Sequence, residues 1–307
     1  MRTASLLAQA KLNLFLRVVA REASGYHQLE TLFTRIALGD EVTVRAVAHG
    51  RSLDCTGPAM PTGGLGAMEN NLAFRAAAAF AEAVGWPGGF AIEITKHIPV
   101  GGGLGGGSAD AGAVLRALNA IAPRAMPPSR LLSVGASLGA DVPFLTQDLS
   151  PLALAWGRGE RLMTLSPLTS RPCVLFAFPF GVSTKDAFSW LAASPAAPTN
   201  PVTYSVADLA KWTDVLGQAF NEFERVVLPR VDPVARALAI LRGPLGTEAM
   251  DLSLMSGSGA TIFSLPRRGT PQGRRGLLDA LAGLGESGPR VLETFIASHV
   301  ESVRLAD

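Results

Sequence analysis

Six of the seven residues from Gly101 to Gly107 are glycine, and the run continues straight into Ser108, Ala109 and Asp110. Few features limit a chain's options more. Without Cβ atoms, successive backbone N–H groups lie open to an anion and positive φ becomes accessible. Downstream, Ala111, Val114, Leu115 and Leu118 fall at i, i+3, i+4 and i+7, one apolar face of a helix. The loop therefore empties into a helix N-terminus, where unpaired N–H groups and the positive dipole end favour a phosphate. A plain linker fits poorly, because residues 90–98 read as a strand leading directly into the glycines.

Two familiar phosphate motifs fail here. Gly101-x-Gly103-x-x-Gly106 matches the dinucleotide fingerprint literally, but that motif needs a second strand with an acidic residue about 20 positions on. In this chain residues 123–128, bounded by prolines, are followed by another helical run. A P-loop needs a lysine between glycine and hydroxyl, and Gly107-Ser108 has none. What remains is a lysine-free phosphate loop whose charge is met by the helix end, a metal ion or a distant lysine.

A chain of 307 residues suggests about two domains. With 48% hydrophobic and 17% charged residues it is an ordinary globular sequence. The net charge of +2, with no basic run interleaved with aromatics, argues against nucleic acid as a partner. Cys55 and Cys173 match no metal spacing, and the four histidines form no H-x-x-x-H pair. Residues 4–7 are too short for the apolar core of a leader, and the richest apolar stretch, 72–86, carries Arg75 and Glu82 and falls short of about 18 residues. A cytoplasmic protein with no membrane partner is expected.

Strands and helices are mixed along the chain. Leu12, Leu14, Leu16 and Val18 alternate onto one strand face, so Lys11 and Asn13 share the other. Residues 72–84 read as an alanine-rich helix with Asn71 as a cap. Another helix is expected over 129–138, capped by Ser129 and stopped near Gly139. Pro143 should push Val142 out of the helical region, leaving Asp141 at a helix-to-strand corner. Farther on come a strand over 173–178, a surface loop over 194–203, helices over 209–220 and 233–241, and a second glycine-rich turn running into a strand over 255–263.

Taken in order, Lys11-Leu12-Asn13-Leu14, Gly25-Tyr26-His27, the loop from Pro99 to Asp110, Gly139-Ala140-Asp141-Val142-Pro143 and the turn at Ser256 to Gly259 resemble the motifs of the GHMP kinase superfamily. The resemblance implies a two-domain fold, α/β and α+β. Residues 1–160 would form an ATP-binding domain like domain 2 of ribosomal protein S5, and 161–307 a ferredoxin-like α+β domain contributing to the substrate site. The implied enzyme is an ATP-dependent small-molecule kinase using Mg²⁺, a monomer or homodimer. Its implied acceptor is a cytidine diphosphate-linked methylerythritol of isoprenoid precursor synthesis.

By the same resemblance Asp141 accepts the hydroxyl proton and Lys11 stabilises the developing alkoxide. Asn71, Lys96, Pro99, Val100, Gly101, Gly102, Gly103, Leu104, Gly105, Gly106, Gly107, Ser108 and Ala109 would hold ATP. Asn13, Tyr26, His27, Phe33 and Phe188 would hold the acceptor, Tyr26 and His27 as a cytidine-recognising pair. Ser108 could cap the helix, donate to a phosphate or help place Mg²⁺, whose ligand set stays open. For Asp110 a place near the metal region stays open, though a favourable interaction with the helix dipole is reason enough. Ala109 stands where the family commonly has a second serine, Gln9 where proline is frequent, and Ser24 where aspartate is frequent. Two other readings stay open: a related kinase acting on a mevalonate-type acid, homoserine or a sugar, and a nucleotide-binding regulator without turnover. Tyr26-His27 speaks against the first, and Lys11 together with Asp141 against the second.

Overall fold

The alternating run around Lys11 belongs to a long strand, β1 (Thr3–Arg21), paired antiparallel with β2 (His27–Val47). The computed structural model describes residues 2–22, 27–194, 204–269 and 273–306. Register shifts fall between Gln9 and Lys11 and between Asn13 and Phe15, so the Lys11–Asn13 segment is bracketed by bulges. Bulges re-aim side chains, and here they set both polar groups toward the cleft.

Next along the chain come β3 (Arg51–Thr56), α1 (Leu72–Val84), β4 (Gly89–Thr95), α2 (Gly106–Ile121), α3 (Pro128–Leu138), α4 (Val142–Thr146), β5 (Leu152–Gly157) and β6 (Arg161–Thr164). The second half comprises β7 (Pro172–Ala177), α5 (Thr184–Ala193), α6 (Trp212–Gln218), β8 (Phe220–Asn221), α7 (Glu224–Val227) and α8 (Asp232–Arg242). It ends with α9 (Pro244–Ala249), β9 (Met250–Met255), β10 (Ile262–Pro266), α10 (Gly273–Ala282), β11 (Arg290–Phe295) and β12 (Arg304–Ala306).

Two sheets organise these elements. The first runs β12-β1-β2-β4-β3, with β5 on β2, β6 on β5 and β8 on β1. Thus β6, β8 and β12 return to it from beyond residue 160. One core joins its apolar face to α1 and α2: Leu12, Leu14, Phe33 and Ile92 pack with Phe80, Val114 and Leu118. The second sheet is antiparallel, β11-β7-β10-β9. Its strand order and the β-α-β-β-α-β succession give the ferredoxin-like arrangement. Val174, Phe176 and Ile262 pack there against Leu238 and Leu241 of α8 and Leu277 and Leu281 of α10.

Helix α1 begins at Leu72 with the Asn71 side chain accepting from Ala73 N–H at 2.9 Å, as its cap residue predicts. Three local expectations are corrected. Helix α3 starts at Pro128 and Ser129 does not cap it, because a proline in the first turn gives up an N–H that lacks a helical partner anyway. For the same reason Pro143 does not break the chain into a strand; it sits in the first turn of α4, with Asp141 at the N-cap. The helix expected over 209–220 is a 3₁₀ turn at Asp208–Ala210 followed by α6, and β8 begins at Phe220. Of the loop expected over 194–203, residues 195–203 lie outside the described residues. No helix among the described residues is long and apolar enough to cross a membrane.

Candidate active site

The glycine loop lies between β4 and α2 and is fastened on both sides. On one side, Lys11 N–H of β1 donates to Leu104 O at 3.0 Å. On the other, the turn between β9 and β10 reaches it: Ser256 Oγ donates to Gly103 O at 3.0 Å and Thr261 N–H to Gly102 O at 3.2 Å. Gly103 has φ of 78°, and a Cβ there would stand 2.1 Å from Ser256 O, so no larger residue fits this contact. The turn is braced in its own right, with Asn221 Nδ2 donating to Met255 O and Gly257 O at 2.6 and 2.8 Å.

Helix α2 has no side-chain cap, and Gly106, Gly107 and Ser108 of its first turn line a cavity of about 690 Å³. The N–H groups of those residues precede the helical hydrogen-bond ladder, and an anion in the cavity can take them. Beneath the loop, Lys96 contacts the Asp40 carboxylate and donates to Asp110 at 2.5 Å, while Asp40 also accepts from the N–H groups of His97 and Ile98. The entry to the loop and the start of α2 are thereby tied to the end of the β2 pairing. All three side chains are at most 5% exposed. Burial pushes the Asp110 carboxyl upward against the pull of Lys96, with Asp40 adding to the rise. Burial alone would lower Lys96, but the two carboxylates outweigh it and hold the amine above its ordinary value.

Opposite the loop, Lys11 Nζ stands 3.6 Å from Asp141 Oδ2. The amine donates to Asn13 Oδ1 at 2.8 Å and Gly103 O at 3.0 Å; Asn13 in turn donates to Thr31 Oγ1, and Thr31 to Phe15 O. Lys11 is thus held by a buried relay. The Asp141 carboxylate makes no cap hydrogen bond to α4 and remains 33% exposed on the cavity wall. Its helix is fixed from behind by Arg35, which donates to Phe144 O and Gln147 O, both at 2.8 Å. Burial, reinforced by Arg116, lowers the Arg35 guanidinium to about 9. Helix α2 also passes so close that a Cβ on Gly112 would lie 2.6 Å from the Leu145 carbonyl.

Past Asp141 the cavity opens toward aromatics. His27 and Phe188 stack with centroids 4.8 Å apart and planes at 18°, and Phe223 meets Phe188 edge-on. Burial, then Arg21, lowers the His27 imidazole below its ordinary value, so the stacked ring is neutral near pH 7. A neutral ring offers one donor and one acceptor beside a flat face, the equipment for a nucleobase. Phe33 lies deeper, stacked on Phe144 at 5.0 Å with Lys11 Nζ 5.6 Å from its ring centroid.

Comparisons with known proteins agree with this geometry. The N-terminal domain pattern of the GHMP kinases matches residues 71–147, which hold the loop and Asp141. The 4-diphosphocytidyl-2-C-methyl-D-erythritol kinase of Moorella thermoacetica is 36% identical over 86% of this chain and 90% of its own length. The chain belongs to the 4-diphosphocytidyl-2-C-methyl-D-erythritol kinase family of GHMP kinases. A crystal structure of 4-(cytidine 5'-diphospho)-2C-methyl-D-erythritol kinase superposes with a TM-score of 0.72 at 34% identity, covering 95% of this chain and 99% of that one. Homoserine kinase from Cytophaga hutchinsonii superposes with a TM-score of 0.63 at 18% identity, over 99% and 97% of the two chains, and shares the fold.

For a GHMP kinase the expected residues fall into three groups. Asn13, Phe33, Asn71, Lys96, Asp141, Phe188 and the loop from Pro99 to Ser108, with Lys11, line the one cavity. His27 lines a neighbouring cavity on the other side of Phe188. Ala109 faces the core, 2% exposed, with its N–H given to Gly105 O, and Tyr26 lies outside the described residues. Asp110 falls past the first turn of α2 and is a buried partner of Lys96, not the dipole-facing residue its position suggested. Sequence reasoning missed Thr31, Asn221 and Thr184. None belongs to a spaced motif, and each gains its place through the sheet or across the cleft, Thr184 through its hydroxyl 3.0 Å from that of Ser258.

Proposed function

We propose that this chain transfers the γ-phosphate of ATP to the 2-hydroxyl of 4-diphosphocytidyl-2-C-methyl-D-erythritol in non-mevalonate isoprenoid precursor synthesis, as a cytoplasmic enzyme. The observation that carries the reading is the Lys11–Asp141 pair, 3.6 Å apart, set between the open first turn of α2 and the Phe188 stack. Phosphoryl transfer asks a protein for positioning, charge neutralisation and a group that takes the hydroxyl proton. ATP lies with its phosphates on the first turn of α2 and its nucleoside toward Asn71 and Leu72. Asp141 accepts the proton of the acceptor hydroxyl as that oxygen attacks the γ-phosphorus, and ADP leaves. Lys11 offsets the charge growing on the attacking oxygen.

Among the described residues no three of His, Cys, Asp and Glu cluster around a metal position. The open N–H groups at the loop suit the phosphate oxygens, and the Ser108 hydroxyl oxygen beside them would fit a Mg²⁺ carried in by ATP, which Ser108 and the phosphates would hold. Bound there, the ion would neutralise phosphate charge. The two sheets support a division into a nucleotide-binding part, 1–160, and a substrate part, 161–307, with β6, β8 and β12 crossing back to the first sheet.

A substrate panel tests the assignment. With Mg-ATP, the purified protein should release ADP in the presence of the cytidylated methylerythritol and not with mevalonate, homoserine or galactose. Turnover of one of those three instead overturns it.

A further inference from the structure

Two cavities meet on this face of the molecule. The first contains Lys11, Asp141 and the glycine loop; the second, of about 800 Å³, lies beside His27 and Phe188 and is also lined by Arg21, Glu160 and Lys185. Ala140, Arg158, Thr184 and Phe188 line both. Among the described residues Arg158 is the one cation common to the two walls.

The position of Arg158 is built with care. It opens the turn that joins β5 to β6, and its N–H donates to Glu160 Oε2 at 2.7 Å. Gly157 pairs with Leu29 across the sheet, which brings the turn beside the end of β2 that carries His27. A Cβ on Gly159 would touch Ala140, the neighbour of Asp141, at 3.5 Å. Glu22, just past β1, accepts from the guanidinium at two points, from Nη2 at 2.7 Å and from Nε at 3.5 Å, and orients it at the junction.

We propose that Arg158 recognises the diphosphate of the acceptor and sets the preference for a diphosphate-linked over a neutral nucleoside. This inference rests on the acceptor reading above. An acceptor with its alcohol at Asp141 and its base at His27 and Phe188 must lay whatever joins them across this junction, and in the acceptor named above that link is a diphosphate. The other cations each meet a single cavity: Lys11 and Lys96 line the first alone, and Arg21 and Lys185 the second alone. A planar guanidinium matches phosphate oxygens two at a time, which a lysine does not.

Calorimetric titration with cytidine and with cytidine 5'-diphosphate tests the proposal without turnover. Arg158→Gln should weaken the diphosphate by about 10- to 100-fold, the range of hydrogen bonds to charged groups, and shift cytidine by no more than about twofold. Arg158→Lys should recover part of the loss, and the acceptor KM should follow the diphosphate while the KM for ATP stays near that of the unaltered protein. Equal shifts for the two ligands, or no shift in either, overturn the proposal. Selective loss of the diphosphate in a protein whose unaltered form does not phosphorylate the acceptor would sustain Arg158's role and sink the reaction.

Discussion

On the nucleotide side of the cleft, the groups that face the cavity are largely backbone, while the charged side chains nearest the loop point inward. Lys96, Asp40 and Asp110 direct their charges at each other and at two backbone N–H groups. On the acceptor side the reverse holds: His27, Phe188 and Arg158 meet the cavities with their side chains. A preformed backbone cradle can serve a phosphate chain without any particular side chain. Choosing among acceptors takes side chains, and strand ends and turns can change those without disturbing a core. The Lys11–Asp141 pair sits on the seam, with Lys11 buried and Asp141 33% exposed on the wall of the first cavity.

The seam should give the largest effect. Asp141→Asn keeps the shape of the carboxylate but not its proton-accepting power, so kcat should fall by roughly 100- to 10,000-fold, with both ligands binding within a few-fold of normal. Single-turnover kinetics beside equilibrium binding measure both; a near-normal rate would mean that positioning alone suffices.

A break on the nucleotide side should appear as lost stability. Lys96→Met leaves Asp40 and Asp110 facing one another without their cation, at a cost of about 3–5 kcal/mol. Denaturant unfolding measures it, and the KM for ATP should rise while the acceptor KM changes little. If the acceptor KM moved as far, the two halves would not be built independently.

The smallest effect concerns pH on the acceptor side. His27 is lowered from its ordinary value of 6.5 by burial and Arg21, so its neutral form persists through pH 8 to 6.5 and is lost only as the pH falls through the lowered pKa. The acceptor KM should therefore change little from pH 8 toward 6.5 and rise a few-fold as the pH falls through that lowered pKa. His27→Gln should flatten the acid limb and leave the ATP profile unaltered.

Local chemistry accounts for what could be read in advance. Asn71 and the alanines after it announce α1 because cap and helix lie within one turn, and the glycine loop announces a phosphate because its geometry is its own. Lys11 and Asn13 share a face by simple alternation and do touch, at 2.8 Å. Pro143 misleads because a proline, excluded from a helix interior, is welcome in a helix's first turn, and the residues after it decide between the two. Strands β8 and β12, two and three residues long, have no pattern to read; they exist because β1 offers edges to pair with. Thr31, Asn221 and Arg158 owe their places to tertiary packing, which brings residue 13 to 31, 221 to 255 and 158 to 22.

The pairing of β12 with β1 has a kinetic side. Thr3 faces Ala306, and Gln9 reaches His299 O and Glu301 N–H. The strand that carries Lys11 thus gains a neighbour from nearly three hundred residues away, and β8 joins it from two hundred away. Contacts at such separation form late, because a long loop must close before they return any free energy. During synthesis the glycine loop and α2 emerge well before this partner of their own sheet, and before the Ser256–Thr261 turn that fastens the loop, so the finished cleft waits on the end of the chain.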